Sequence, residues 1–145
     1  MQSILAAALL ATAAAAPAHV TVSPQQSVQG AREKYEVRVP NELRADTIQV
    51  EIRFPASLRV TALEQKAGWF TEPLRDKDGR MIGARWTGKL PAGQFTEFGL
   101  LATNPASGAT LEWTAIQAFA DGGKIEWSGK PGSKTPAPRV TLLPR

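Results

Sequence analysis

The chain of 145 residues contains no cysteine. That excludes disulfide staples, thiolate metal centres and cysteine nucleophiles. It contains one histidine, His19, so no centre that needs two imidazoles can be built from it. Of its two methionines, Met1 opens an apolar leader and Met81 is the other. One thioether is too few for a soft Cu(I) site. Charge of one sign is never concentrated. Seventeen Lys and Arg against 13 Asp and Glu leave a net +4, but the basic residues are scattered among acids. This reads as a solvated surface, and nucleic acid is not an expected partner.

Long hydrophobic runs are equally scarce. The one present, Ile4 to Ala16, is about 13 residues, right for a signal h-region and too short to span a membrane. Ala16-Pro17-Ala18 follows, with small residues at the positions a signal peptidase reads. Met1-Gln2-Ser3 lacks the usual Lys or Arg. Residues 1–18 are therefore expected to be a signal peptide cut after Ala18. Residues 19–145 are then one domain, periplasmic or secreted, with no membrane anchor of its own. A domain of that size buries about two-thirds of its unfolded surface.

The remainder reads as strands. Ile48, Val50, Ile52 and Phe54 alternate with Gln49, Glu51 and Arg53, a period of two. Tyr35, Val37 and Val39 alternate in the same way, as do Leu111, Trp113 and Ala115. Further strands are expected at His19–Ser23, Leu58–Leu63, Gly68–Leu74, Met81–Thr87, Phe95–Thr103, Lys124–Ser128 and Arg139–Leu142. Asp78-Gly79, Pro91-Ala92-Gly93 and Asp121-Gly122-Gly123 are hairpin candidates. Pro40 and Pro55 are expected to end strands. About nine short strands in one domain predict an all-β immunoglobulin-like or fibronectin-like β-sandwich, with a closed barrel as the alternative.

Cleavage after Ala18 would make His19 the first residue. A terminal histidine offers its free α-amine and its imidazole Nδ1, which close a chelate ring on one metal ion. Both nitrogens can shed protons to a metal near neutral pH. Two nitrogens and a carboxylate suit Cu(II), which favours tetragonal N and O ligands. Zinc lacks its usual side-chain donors here, and Asp76 and Asp78 are thin for calcium. The plainer reading is a frayed terminus without a role. Against it, His19 opens the strand-like Val20-Thr21-Val22, which could fix it in a sheet.

The candidate third donor is Glu97, an acid in the apolar stretch Phe95-Thr96-Glu97-Phe98-Gly99-Leu100. An acid there needs a partner if shielded; an exposed edge position or an arginine pair would also account for it. Of the four tryptophans, Trp69, Trp86, Trp113 and Trp127, most are expected in the core. Trp127, near the end of a short strand, could instead cover a surface site.

Seven motifs occur in order along the chain: His19-Val20-Thr21-Val22, Arg38-Val39-Pro40-Asn41-Glu42, Gly68-Trp69, Arg85-Trp86-Thr87-Gly88, Phe95-Thr96-Glu97-Phe98, Gln117-Ala118-Phe119-Ala120-Asp121-Gly122 and Ile125-Glu126-Trp127. The set resembles the YcnI-like family of exported bacterial copper-binding domains, over essentially all of residues 19–145. The resemblance implies an immunoglobulin-like sandwich that binds Cu(II) through a mono-histidine brace. Its ligands would be the amine and ring of His19 and the carboxylate of Glu97, with the Trp127 indole beside the metal. Phe119 stands where the family pattern has tyrosine.

The resemblance further implies a role in copper homeostasis, as a metallochaperone or periplasmic store. Its partners would be another periplasmic copper carrier or a membrane copper importer. An enzyme is not expected: oxidative copper chemistry at a terminal histidine uses a second histidine, and no nucleophile elbow appears. The alternative is a metal-free immunoglobulin-like interaction or adhesion module, in which His19 is incidental.

Overall fold

The computed structural model describes residues 18–145, so the expected leader, Ala18 apart, lies outside the described residues. Twelve strands follow one another: β1 (Thr21–Ser23), β2 (Gln26–Val28), β3 (Arg32–Asn41), β4 (Thr47–Arg53), β5 (Arg59–Leu63), β6 (Phe70–Arg75), β7 (Met81–Leu90), β8 (Gln94–Thr103), β9 (Thr110–Glu112), β10 (Thr114–Phe119), β11 (Lys124–Trp127) and β12 (Arg139–Leu143). They form a four-stranded sheet ordered β1-β3-β8-β5, a five-stranded sheet ordered β11-β10-β4-β7-β6, and a small sheet ordered β2-β12-β9. Among the described strands, only the β2–β12 pair is parallel.

The expected sandwich is present, and its core follows from the period of two. Tyr35, Val37 and Val39 of β3 and Phe98, Leu100 and Ala102 of β8 are buried from one sheet. Val50, Ile52, Ala84, Trp86 and Ala115 answer them from the other. The Trp86 and Phe98 rings meet across the two sheets at 4.6 Å. Each fully buried apolar side chain of this kind contributes about 1.5–3 kcal/mol. Trp113 packs edge-on to Tyr35 and Phe54 at 5.4 and 5.9 Å.

Four local expectations are corrected. Ile48 does not point inward: the register shifts between Thr47 and Gln49, leaving Thr47 fully buried and Ile48 41% exposed. A bulge adds a residue and inverts the pattern beyond it. The run Leu111 to Ala115 is two strands. The chain leaves the small sheet at Trp113, whose N–H donates to Pro138 O at 2.9 Å, and enters the five-stranded sheet. Pro91-Ala92-Gly93 is a passage between sheets, because β7 and β8 belong to different ones. Asp78-Gly79 and Asp121-Gly122-Gly123 do join paired strands, β6–β7 and β10–β11, with Gly79 and Gly122 at φ of 81° and 88°. Only glycine adopts that conformation without strain.

The fourth correction concerns Pro40, which lies inside β3 opposite Phe95. The N–H and C=O of one strand residue point to the same flank. Pro40 O accepts from Gln117 Nε2 at 2.9 Å, so its missing N–H falls on the side away from β8. There β1 pairs only with Glu36 to Arg38. No ladder bond is lost, and the strand continues to Asn41.

Candidate metal centre at the amino-terminal edge

β1 is an edge of the four-stranded sheet and β11 an edge of the five-stranded one. At this side of the sandwich His19, two residues before β1, meets Trp127, the last residue of β11. Their ring centroids are 5.8 Å apart and tilted by 55°. His19 is held because Val20 and Val22 are buried at 2% and 1% and β1 pairs with β3 through Thr21–Arg38, Val22–Val37 and Ser23–Glu36. The segment is therefore a docked strand rather than a frayed end.

Trp127 is 6% exposed. Its indole N–H donates to Gln117 Oε1 at 3.3 Å. Gln117 is itself buried, and its amide donates to Thr47 Oγ1 at 2.7 Å and to Pro40 O at 2.9 Å. One side chain thus ties β10 to β11, β4 and β3. A buried amide with all these bonds made is strongly oriented, and it fixes the indole that faces His19.

Glu97 stands elsewhere on the same sheet. Its register partner is Arg38, whose own partner on the far side is Thr21. The carboxylate pairs with the Arg38 guanidinium at 3.7 Å. Arg38 also lies over the Phe95 ring at 5.6 Å. The structure therefore brings His19 and Trp127 together and sets Glu97 two strands from β1, in an arginine pair.

A second acid, Glu42, to which the sequence assigned no role, meets the segment that leads into His19. Glu42 Oε1 accepts from the Ala18 main-chain N–H at 3.2 Å. It follows Asn41, which is 2% exposed. The Asn41 amide donates to Ala45 O and Leu90 O at 2.9 Å, and its Oδ1 accepts from Leu43 N at 3.0 Å. Gln117 was also missed, although a glutamine in an inward slot between Ala115 and Phe119 marks a buried polar group in need of partners.

Among the described residues, no three His, Asp or Glu side chains are gathered closely enough to hold a metal ion. A metal at His19 would thus have to draw on main-chain nitrogen as well as side chains. The donors at hand, imidazole and carboxylate, are nitrogen and oxygen, which suit a divalent ion such as Cu(II) and not a soft monovalent one.

Sheet order, burial and the buried tryptophans together define an immunoglobulin-like β-sandwich with a histidine at one edge. Residues 19–142 match the family described as "Domain of unknown function (DUF1775)", and the chain belongs to that family, the YcnI-like group its motifs resemble. The copper-binding protein CutI of Bacillus subtilis (strain 168) is 32% identical over 131 residues, 88% of this chain and 64% of CutI. The chain thus spans a little under two thirds of that relative. An uncharacterized protein from Nocardia farcinica with an immunoglobulin-like fold aligns with a TM-score of 0.74 at 25% identity, covering 86% of this chain and 98% of that one. A cohesin module from a Clostridium perfringens family 33 glycoside hydrolase aligns with a TM-score of 0.57 at 9% identity, over 88% and 100% of the two chains. The last is a likeness of fold alone.

Proposed function

We propose that this domain binds Cu(II) at a mature terminus created by cleavage after Ala18, and that it serves outside the cytoplasm as a copper carrier or store. The observation that carries the reading is the contact of His19, just before β1, with the buried Trp127 indole. It is supported by the relation to CutI, a protein named for copper binding.

Cleavage would turn the His19 amide nitrogen into an amine. Amine and imidazole then chelate one ion as a pair, and an anionic carboxylate adds an oxygen donor. The family resemblance offers Glu97 for that position. Trp127 covers one side of the site and limits access of water and competing ligands. With no thiol in the chain and one methionine beyond the leader, the site would hold Cu(I) weakly, so reduction favours release to a partner with softer donors. Another exported copper carrier or a membrane copper importer would suit that role. A single imidazole lacks the second histidine of oxidative copper enzymes, so the proposed task is handling copper rather than catalysis.

The test is metal analysis and amino-terminal sequencing of the exported protein, with calorimetry against Cu(II) and Zn(II). The reading expects a chain beginning at His19, one Cu(II) per molecule, and preference for copper over zinc. A different terminus, or a terminus at His19 without copper binding, would refute it.

A further inference from the structure

The end of the sandwich remote from His19 carries positive charge that nothing beside it balances. β3 runs from Arg32 to Asn41, and its Pro40 meets Gln117 at the candidate metal edge. Arg32 begins that strand, about 26 Å of extended chain from Pro40. Here Arg32, Thr103 and Arg59 stand in one row across β3, β8 and β5 as register partners. Neighbouring strands lie about 4.8 Å apart, so the two arginine positions are about 10 Å apart with a threonine between them. Alternation turns the row outward: Ala102 and Asn104 on either side of Thr103 are buried, as are Leu58 and Val60 on either side of Arg59. The three residues line a cleft of about 550 Å³ together with Lys34, Thr61 and the exposed Leu101.

The acids within reach are engaged elsewhere. Glu33 Oε2 accepts from Ser27 Oγ at 2.7 Å, and Glu36 holds Lys34 at 2.7 Å. Among the described residues neither Arg32 nor Arg59 forms an ion pair. The backbone that carries each is fixed. Ala31 O, just before Arg32, accepts from Asn104 N at 2.8 Å. Leu58 O, just before Arg59, accepts from Arg80 Nη2 at 3.1 Å. Two guanidinium forks and a hydroxyl therefore stand on rigid strands with donors and no acceptor. A carboxylate, with two oxygens and one charge, satisfies a single fork. A phosphate group carries up to two charges and enough oxygens for both forks. In a bilayer, separate headgroup phosphates can meet the two forks.

We propose that Arg32, Thr103 and Arg59 form a binding site for phosphate groups, either free in solution or on the headgroups of anionic lipid. The site is independent of the copper reading. On a lipid surface Leu101 would enter the interface between the cations, and the His19 edge would face away from the bilayer.

The experiment uses the protein beginning at His19, so that the apolar leader adds no affinity of its own for lipid. It is titrated with inorganic phosphate by calorimetry, and sedimented with vesicles of phosphatidylglycerol or of phosphatidylcholine. Saturable binding is expected to phosphate, to phosphatidylglycerol vesicles or to both, and not to phosphatidylcholine. Binding in the phosphate arm alone identifies a free anion as the ligand; binding in the vesicle arm alone identifies the headgroup. R32Q/R59Q should weaken that binding by about tenfold or more, as loss of charge-assisted bonds does, with Tm unchanged because both side chains are exposed. R32K/R59K keeps the charge and loses the forks, so its affinity should fall between the two. K77Q/K124Q, which removes two charges elsewhere, should bind like the parent. No binding in either arm overturns the site. So does an R32Q/R59Q or R32K/R59K protein that binds like the parent, or an equal loss in K77Q/K124Q, which would trace the binding to net charge.

Discussion

The Trp127 indole N–H donates to Gln117 Oε1 at 3.3 Å, and this contact fixes the ring that His19 meets at 5.8 Å. Gln117 therefore orients the indole that borders the candidate site. Replacing it by leucine leaves Thr47 Oγ1, Pro40 O and the indole N–H without their partner. Each such loss costs about 1–3 kcal/mol, and some would be recovered by water entering at the edge. Gln117→Leu should lower Tm and change the fluorescence of Trp127. An unchanged emission spectrum would show that the indole is held by packing alone.

If copper binds beside Trp127, its fluorescence should be quenched as Cu(II) is added. Trp127→Phe should abolish the saturable part of that quenching while leaving binding by calorimetry nearly intact. Equal quenching in Trp127→Phe would place the ion near a different tryptophan.

Glu51 predicts how stability responds to acid. Burial pushes its carboxyl upward, but hydrogen bonds from Arg85 at 2.7 Å and Arg53 at 3.0 Å, with the charges of both, outweigh it. The net effect holds Glu51 below its ordinary value of 4.5. A depressed carboxylate contributes stability above its unfolded pKa and loses it as pH falls through the folded value. Glu51→Gln should cost about 1–2 kcal/mol at pH 7, and the gap from the parent should close toward pH 3. Denaturant titrations at the two pH values check this; a constant gap would mean that the charge contributes nothing.

Tyr35 predicts the opposite limb. Burial raises its phenol above the ordinary 10.0, against the lowering effect of bonds to Ser27 and Asn104. The hydroxyl donates to Asn104 Oδ1 at 2.6 Å. Stability tied to a raised group is full below the unfolded pKa and is lost as pH rises through the folded one. Tyr35→Phe should be less stable by about 1–3 kcal/mol at neutral pH, since Asn104 Oδ1 loses its donor. It should also lose less stability than the parent above pH 10. Parallel alkaline curves would contradict this.

Gly88 makes room for an aromatic neighbour. A Cβ there would collide with the Trp69 indole, which packs edge-on against Phe98 at 5.2 Å. Gly88→Ala should displace the half-buried indole and destabilise by about 1–3 kcal/mol. Thermal unfolding reads the effect, and an unchanged Tm would show that Trp69 yields freely.

Much of the sandwich was legible because strand alternation reports burial directly. Tyr35, Val37 and Val39 fell on one face and are buried together. The errors arose where one residue changes phase or where a strand changes partner. The bulge at Thr47 to Gln49 inverts Ile48, and no propensity marks it. Trp113 continues the alternation of its neighbours while the chain crosses between sheets, since period two does not name the partner sheet.

At the site, the uniqueness of His19 singled it out, and Trp127 stood out by its place at a strand end. The contact of Ala18 with Glu42, 24 residues away in sequence, is a tertiary one that no local pattern reports. Glu97 drew notice as an acid among apolar residues, but its neighbour across the ladder is Arg38, and register is a tertiary fact.

In the proposed copper centre the free α-amine of His19 is a donor. The most direct test compares the protein beginning at His19 with the same chain carrying an Nα-acetyl group, by Cu(II) affinity and by the nitrogen superhyperfine pattern. A large loss of affinity and the loss of one nitrogen from the pattern are expected on acetylation. Equal affinity with an unchanged pattern would contradict it.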